Sequence, residues 1–209
     1  LHKRVARLDL AHKEVLFSDG TASRYTRLIS TLPLNKMIEM TGLQVDAEAD
    51  PFTSVLVLNI GALRGPHCPA HHWLYVPDSQ AGFHRVGFYS NVDNSFVPRS
   101  LDSSDRVSIY VETAYPGGRR PDQDVVLGYS RRVIQELKAW GFIGEVEVCD
   151  STWVDVAYTW SLPGSRWRSE ALRRLAENRI LQVGRYAEWS FQGICESMRD
   201  GFALGGMCR

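Results

Sequence analysis

The central part of the chain contains four segments of strand character, separated by loops that contain Gly or Pro, and one long helical pattern follows them. From residue 122 to 140, apolar residues recur close to helical spacing, and Gly141 follows as a stop signal. The strand segments are rich in Val, Ile, Tyr and Phe, which favour extended structure. They span residues 53–63, 72–76, 84–90 and 106–114. This order predicts an antiparallel sheet accompanied by a long helix.

The flanking regions mix both kinds of secondary structure. Alternating apolar residues between Val5 and Phe17 predict a hairpin, and Asp19-Gly20 is typical of a tight turn. A short buried strand ends at Pro33, and one or two helical turns follow over residues 34–40. Nearer the C-terminus we expect a strand over 145–156, a helix over 166–178, a strand over 180–183 and a helix over 190–204. The predicted fold class is therefore α/β (α+β).

Composition limits the classes of partner. The 209 residues are 44% hydrophobic and contain 24 basic and 24 acidic side chains, so no global field attracts nucleic acid or an acidic membrane. An anionic ligand must instead meet a local arginine. The longest apolar stretch, residues 54–63, is far shorter than a membrane-spanning helix. We expect a cytoplasmic location. Because the first residues already resemble the middle of a folded unit, we also expect that an upstream segment is missing.

The thiols and imidazoles do not form a recognised metal motif. The cysteines are far apart in sequence, and no Cys-x-x-Cys pair occurs, so we interpret them as reduced thiols. They are Cys68, Cys149, Cys195 and Cys208. Three histidines and Cys68 fall within residues 67–72, but their spacing matches no standard zinc site. We predict that no metal is bound.

The segment from Ile180 to Tyr186 has the most informative pattern. A buried strand leads to Gly184 and Arg185, and a predicted helix begins near Ser190. Backbone N–H groups and a guanidinium at a helix N-terminus would favour an anion such as a pyrophosphate. The alternative is a helix cap with a solvated arginine, which would contribute at most about 1 kcal/mol.

A family resemblance bears on this choice. The stretch Gly184-Arg185-Tyr186-Ala187-Glu188-Trp189 resembles the Gly-Arg-Phe/Tyr-Gly-x-Trp segment of UDP-galactopyranose mutases and related FAD-dependent amine oxidases. The resemblance implies that FAD is the cofactor, with Gly184 and Arg185 at its pyrophosphate and ribityl chain. It also places Tyr186 among the cofactor contacts and Trp189 near the isoalloxazine.

A second block is similar to the same family. His72-Trp73-Leu74-Tyr75-Val76-Pro77-Asp78, Phe83-His84-Arg85-Val86 and Ser90-Asn91 follow the order of its substrate-pocket motifs. The resemblance implies that Trp73 and Tyr75 line a substrate pocket, that Arg85 clamps a diphosphate and that Asn91 contacts the substrate. Without the resemblance, burial of both aromatic rings in the sheet core is the alternative.

Two further stretches resemble the family, and three positions depart from it. Leu28 to Leu34 is similar to the strand with which the family's chain returns from the FAD domain. The region of Tyr158 and Trp160 is similar to the family's Tyr-x-Tyr-Pro-x-Pro stretch. The second resemblance implies that Tyr158 and Trp160 line the substrate pocket. Phe191 is assigned there too. The departures are Val92, Phe191 and Cys195, which stand where mutases have polar groups. Lost hydrogen-bond partners weaken recognition strongly, so we expect a substrate other than UDP-galactopyranose.

These patterns lead to a division into three regions. Residues 1–45 would form part of a FAD-binding domain, residues 46–165 the substrate-binding sheet, and residues 166–209 a C-terminal strand and helix that contact FAD. A Gly-x-Gly-x-x-Gly motif is lacking, so the chain alone would bind FAD weakly and would need the missing N-terminal FAD-binding half as a partner. Glu112 is expected to pair with an arginine.

Three functions remain open at this point. The first is part of a FAD-dependent oxidoreductase acting on a small molecule, the second is a UDP-sugar mutase that uses a nucleotide sugar, and the third is a non-catalytic binding module. The sequence identifies no catalytic residue, since no Ser/His/Asp or Cys/His arrangement stands out.

Overall fold

The computed structural model describes residues 2–100 and 105–207, and two compact units divide the chain. The first unit takes the segment up to Phe52 and the segment from Tyr158 onward, and the second takes Thr53–Ala157. The elements are, in chain order, β1 (Val5–Asp9), β2 (Glu14–Phe17), β3 (Ala22–Arg24), β4 (Leu28–Ser30), α1 (Leu34–Thr41), β5 (Phe52–Arg64), β6 (Trp73–Tyr75), β7 (Arg85–Phe88), α2 (Tyr89–Val92), β8 (Arg106–Pro116), α3 (Gln123–Ala139), β9 (Ile143–Thr159), α4 (Trp167–Glu177), β10 (Ile180–Gln182) and α5 (Ile194–Met207).

The second unit contains a five-stranded sheet in the order β6-β7-β8-β5-β9. Strands β6 and β7, β7 and β8, and β8 and β5 pair antiparallel. Side chains of a strand alternate between two faces, so every second residue of β5 is buried from Leu56 to Ala62. The predicted antiparallel sheet is confirmed.

Helix α3 covers one face of this sheet. Its Tyr129, Val133 and Leu137 recur at helical spacing and are buried among sheet residues such as Ile109 and Val111. Full burial of one apolar side chain of this size contributes about 1.5–3 kcal/mol to the free energy of unfolding. The helix ends before Gly141, whose φ of 70° is left-handed, as the predicted stop signal requires.

A carboxylate of α3 also holds the loop that precedes β7. Glu136 accepts hydrogen bonds from the Ser79 hydroxyl (2.9 Å) and from the backbone N–H groups of Gln80 (2.9 Å) and Ala81 (2.7 Å). These bonds satisfy N–H and O–H donors of the loop that would otherwise need water as a hydrogen-bond partner. They fix the entry of the chain into β7.

The first unit combines a three-stranded meander with a parallel strand pair. Strands β1 and β2 pair antiparallel, which confirms the predicted hairpin, and the Asp19-Gly20 turn joins β2 to the antiparallel β3. Strands β4 and β10 pair parallel, with Leu28 opposite Ile180 and Ser30 opposite Gln182. Segments about 150 residues apart in sequence thus form one small sheet.

Two predicted boundaries are wrong. The strand predicted over 84–90 spans only Arg85–Phe88, and the short helix α2 follows, in which the Ser90 hydroxyl accepts the Ser108 N–H (3.2 Å). The helix predicted from residue 190 begins at Ile194. There, Glu196 accepts the Gly193 N–H (3.0 Å), which caps the helix one turn later than expected.

In the part of the chain that the structure describes, we find no helix with the length and apolarity needed to cross a membrane.

Candidate functional site

The turn after β10 is shaped by a glycine. Gly184 has a φ of +91°, a conformation that L-residues with side chains rarely adopt. A Cβ atom at this position would meet no atom within 4 Å, so the glycine leaves open space beside the turn. The chain then reverses and presents Arg185.

Three aromatic rings surround the Arg185 guanidinium. Its Cζ atom lies 5.9 Å from the ring centroid of Tyr158, 5.8 Å from that of Tyr186 and 4.7 Å from that of Phe191. Its Nη1 donates to the Gln192 carbonyl (3.3 Å). The first unit therefore brings together two residues predicted to bind the cofactor, Arg185 and Tyr186, and two predicted to bind the substrate, Tyr158 and Phe191.

Buried polar atoms without a hydrogen-bond partner concentrate near this turn. They are the side-chain amide oxygen and nitrogen of Gln182, Nε of Arg185 and the hydroxyl of Ser190. Leaving such an atom unpaired costs about 1–3 kcal/mol. Of these three side chains, Arg185 also lines the cavity beside the turn, where a polar ligand would supply the missing partner.

A cavity of about 600 Å³ opens beside the same turn. Its size is within the usual range for sites that bind small molecules. It is lined by Thr31, Val183, Gly184, Arg185, Tyr186, Gln192, Gly193, Ile194, Ser197, Met198 and Gly201. The lining therefore joins the Gly184 turn to the first two turns of α5.

A pair of acidic side chains lies at the edge of this region. The amide nitrogen of Gln192 donates to Glu188 (3.3 Å) and to Asp200 (2.9 Å). Burial, and secondarily the negative charge of Asp200, raise the pKa of the Glu188 carboxyl above its ordinary value. Ionisation of the Glu188 carboxyl therefore costs more free energy in the folded protein than in the unfolded chain.

Replacing Glu188 with Gln should stabilise the protein at neutral pH. A carboxyl whose pKa is raised on folding lowers stability above that pKa, and the penalty disappears once the group is protonated in both states. We expect urea unfolding midpoints to be higher for E188Q than for the wild type at pH 7 and equal at pH values below both pKa values. A wild-type advantage at pH 7 would contradict this assignment.

Trp189 is buried in the interior of the first unit, whereas Gly184, Arg185 and Tyr186 line the cavity. It is 0% exposed, and its ring makes edge-on contacts with Phe52 (5.9 Å) and Trp167 (5.1 Å). Its Nε1–H donates to the carbonyl of Trp160 (3.0 Å), whose own side chain is exposed. Trp189 therefore packs the interior of the first unit, and its contact with the flavin stays a prediction.

In the second unit, predicted substrate residues share the sheet face opposite α3. The register places Trp73 opposite Gly87, Tyr75 opposite Arg85, and Arg85 opposite Glu112. We call this surface the aromatic face and define it by Trp73, Tyr75, Arg85, Tyr110 and Glu112. Trp73 and Tyr75 are 52% and 67% exposed, so the alternative that the sheet core buries them is wrong.

Arg85 is engaged by a carboxylate on this face. Its Nη2 donates to Oε1 (2.5 Å) and Oε2 (2.6 Å) of Glu112. Glu112 is buried, so the prediction that it pairs with an arginine is confirmed. The diphosphate-clamp role stays a prediction for Arg85.

Asn91 uses its side chain to hold a loop. Its Nδ2 donates to the carbonyls of Pro69 (2.8 Å) and His71 (2.8 Å), and its Oδ1 accepts from Arg64 (3.5 Å). These contacts order the histidine-rich segment before β6. Substrate contact by Asn91 stays a prediction.

Of the two aromatic rings beside Arg85, the sequence indicates Tyr75 but not Tyr110. Tyr110 lies opposite Gly87, and a Cβ atom on that glycine would be 2.0 Å from the Tyr110 ring. The ring therefore occupies the space that Gly87 leaves, and it packs on Tyr89 (4.6 Å). Only the strand register reveals this, although a glycine inside a strand can mark such a close approach.

The thiols and imidazoles form no metal cluster in the part of the chain that we describe. Within residues 2–100 and 105–207, no group of three or more His, Cys, Asp or Glu side chains is placed to hold a metal ion. Cys68, Cys149 and Cys195 are free thiols, and Cys208 lies outside the described residues. Burial raises the pKa of the Cys68 thiol, which disfavours a thiolate ligand.

Comparisons with known proteins identify the fold. No protein-family model and no curated protein matches the sequence. The structure matches reduced UDP-galactopyranose mutase with a TM-score of 0.67 and 20% identity, covering 90% of this chain and 42% of the mutase. A protein assigned as a protoporphyrinogen oxidase from Exiguobacterium sp. 255-15 matches at a TM-score of 0.68 and 9% identity, covering 99% of this chain and 46% of the other. The chain has their fold.

A third match extends this group. The fatty acid isomerase from P. acnes, which produces CLA, matches at a TM-score of 0.58 and 14% identity, over 98% of this chain and 47% of the isomerase. The chain thus spans less than half the length of the three proteins. At these identities the matches establish a mixed α/β architecture with antiparallel sheets.

Proposed function

We propose that this chain is the substrate-facing part of a FAD-dependent oxidoreductase, with the FAD pyrophosphate held at the Gly184 turn. The observation that carries the proposal is the buried, unpaired Nε of Arg185, whose side chain lines a cavity of about 600 Å³. The fold shared with UDP-galactopyranose mutase and the protein assigned as a protoporphyrinogen oxidase supports it.

The residues at the turn fit a dinucleotide. A planar guanidinium with an unpaired Nε suits phosphate oxygens, and the open space at Gly184 would let a pyrophosphate approach the backbone. Tyr158, Tyr186 and Phe191 offer ring surfaces beside the guanidinium.

In this role the protein supplies binding and orientation. A bound flavin would supply hydride-transfer chemistry, which side chains lack. Arg185 would neutralise phosphate charge, and its aromatic neighbours would exclude water from that contact. Tyr186 would add a ring surface next to the same phosphates.

We propose further that a glycine-rich polypeptide segment completes the first unit. A sheet of only two parallel strands, β4 and β10, is unusual because parallel sheets are normally larger and covered on both faces. Helix α5 also exposes Ile194, Met198 and Phe202 at spacings of four residues, which forms an apolar stripe. Strands from such a segment would extend the β4–β10 sheet, and its apolar surface would cover the stripe on α5.

Absorption spectroscopy tests the cofactor. The protein should be isolated from its own cells, so that any further polypeptide stays attached. We expect flavin absorption bands that bleach when dithionite is added. A colourless preparation would exclude both flavin-enzyme functions and would favour the non-catalytic binding module.

The UDP-sugar mutase is the second candidate, because the mutase is among the structural matches. Titration of the coloured protein with UDP-galactose separates it from the oxidoreductase. A change in the flavin spectrum at low ligand concentration would favour the mutase, and no response would favour the oxidoreductase.

A further inference from the structure

The charges on the aromatic face cancel within the face. Glu112 holds Arg85 through two short hydrogen bonds to one guanidinium nitrogen. The same guanidinium lies 5.9 Å from the Tyr75 ring centroid and 5.8 Å from that of Tyr110. The positive charge is therefore stabilised by a carboxylate and by two rings before any ligand arrives.

The neighbouring histidine adds no positive charge at neutral pH. His84 Nε2 lies 3.7 Å from Glu112 Oε2. Burial lowers the pKa of His84 and outweighs the opposing effect of the Glu112 charge, and Arg85 lowers that pKa further. The pair of Arg85 and Glu112 therefore leaves this part of the face without net charge.

Two exposed aromatic rings lie on the same face. Trp73 and Tyr75 are both more than half exposed. Trp73 and Tyr110 lie on either side of Gly87 in the register, and Tyr110 packs on Tyr89 (4.6 Å), which stacks on Phe96 (5.0 Å). Extended rows of rings favour flat ligands that can stack on them.

We infer that the aromatic face takes an uncharged, flat ring compound, and that Glu112 excludes diphosphates by holding Arg85. This inference rests on the proposed function, since it names the substrate class of that enzyme. A diphosphate would have to displace Glu112 from Arg85, which would leave an 8% exposed carboxylate without its cation and beside a second anion. An uncharged ring leaves the pair intact.

The test measures binding of UDP and of indole to the native protein by calorimetry, for the wild type and for Glu112→Gln. Releasing Arg85 from a carboxylate should tighten UDP binding by about ten-fold, the effect of one charge-assisted hydrogen bond. The matched control is Glu147→Gln, which removes the partner of Arg106 on the same sheet and changes the net charge equally. We expect no gain of UDP binding in E147Q. Equal UDP affinity in the wild type and E112Q would overturn the inference.

Indole binding tests the positive half of the inference. We expect the wild type to bind indole and Trp73→Ala to lose most of that affinity, because a stacking surface is removed. If E112Q does not fold, the double variant R85Q/E112Q, which removes both charges, should retain indole binding and gain none for UDP. Absence of indole binding in the folded wild type would also overturn the inference.

The flavin spectrum distinguishes a failure of this inference from a failure of the proposed function. Flavin bands with no indole binding would contradict only the substrate class. A colourless protein whose E112Q variant gains UDP binding would contradict the proposed function and leave the role of Glu112 supported.

Discussion

Arg185→Ala should lose most of its bound FAD. The substitution removes a guanidinium that would pair with the pyrophosphate, and charge-assisted hydrogen bonds contribute about 1.5–3 kcal/mol, so the FAD dissociation constant should rise by about ten-fold or more. The variant also leaves the rings of Tyr158 and Phe191 without the cation between them. The measurement is the flavin-to-protein absorbance ratio after gel filtration of the native protein.

Two control variants test whether the loss of FAD is specific to the Arg185 guanidinium. Arg173→Ala removes an exposed arginine of the same unit, which pairs with Glu177 on α4, and should retain FAD. Arg185→Lys keeps the charge but loses the planar fork, so it should retain an intermediate amount. Full FAD retention by R185A, with unfolding midpoints equal to the wild type, would refute the pyrophosphate assignment.

Trp189→Ala should give the largest loss of stability. The indole is fully buried between Phe52 and Trp167, and removing a buried aromatic side chain costs about 3–5 kcal/mol. The substitution also removes the hydrogen bond from the indole N–H to the Trp160 carbonyl. Urea unfolding followed by circular dichroism should show a lower midpoint for the transition of the first unit.

Control substitutions separate packing from hydrogen bonding. Trp160→Ala removes a half-exposed ring and keeps the carbonyl that Trp189 uses, so it should change stability little. Trp189→Phe keeps an aromatic ring and loses the Nε1–H donor, with an expected cost of about 1–3 kcal/mol. A W189A protein as stable as W160A would show that the buried ring contributes little to the first unit.

The sequence predicts the second unit well because its signals are local. Alternation along β5 and helical spacing along α3 each reflect one buried face, so both elements and their approximate bounds follow from the pattern. The boundaries that fail depend on single side chains. Glu196 makes a hydrogen bond at the start of α5 and Ser90 makes one just after β7, and neither bond leaves a periodic signal in the sequence.

The candidate sites are only partly predictable, because their partners are distant in sequence. The stretch from Gly184 to Tyr186 indicates an anion site, but the unpaired atoms of Gln182 and Ser190 become visible only with the fold. On the sheet, Arg85 and Glu112 meet because β7 and β8 pair in one particular register. A shift by one residue would place Glu112 on the other face.

The pairing of β4 with β10 has a consequence for the order of folding. These strands belong to one small sheet, yet the whole second unit lies between them in the sequence. Closing so long a loop is slow when the intervening chain is unstructured. Strands β5 and β9 are neighbours in the sheet, and the Trp160 N–H donates to the Pro51 carbonyl (3.1 Å) beyond their ends. Once β5 and β9 are paired, Pro51 and Trp160 are held together, and the long loop between β4 and β10 becomes a short connection.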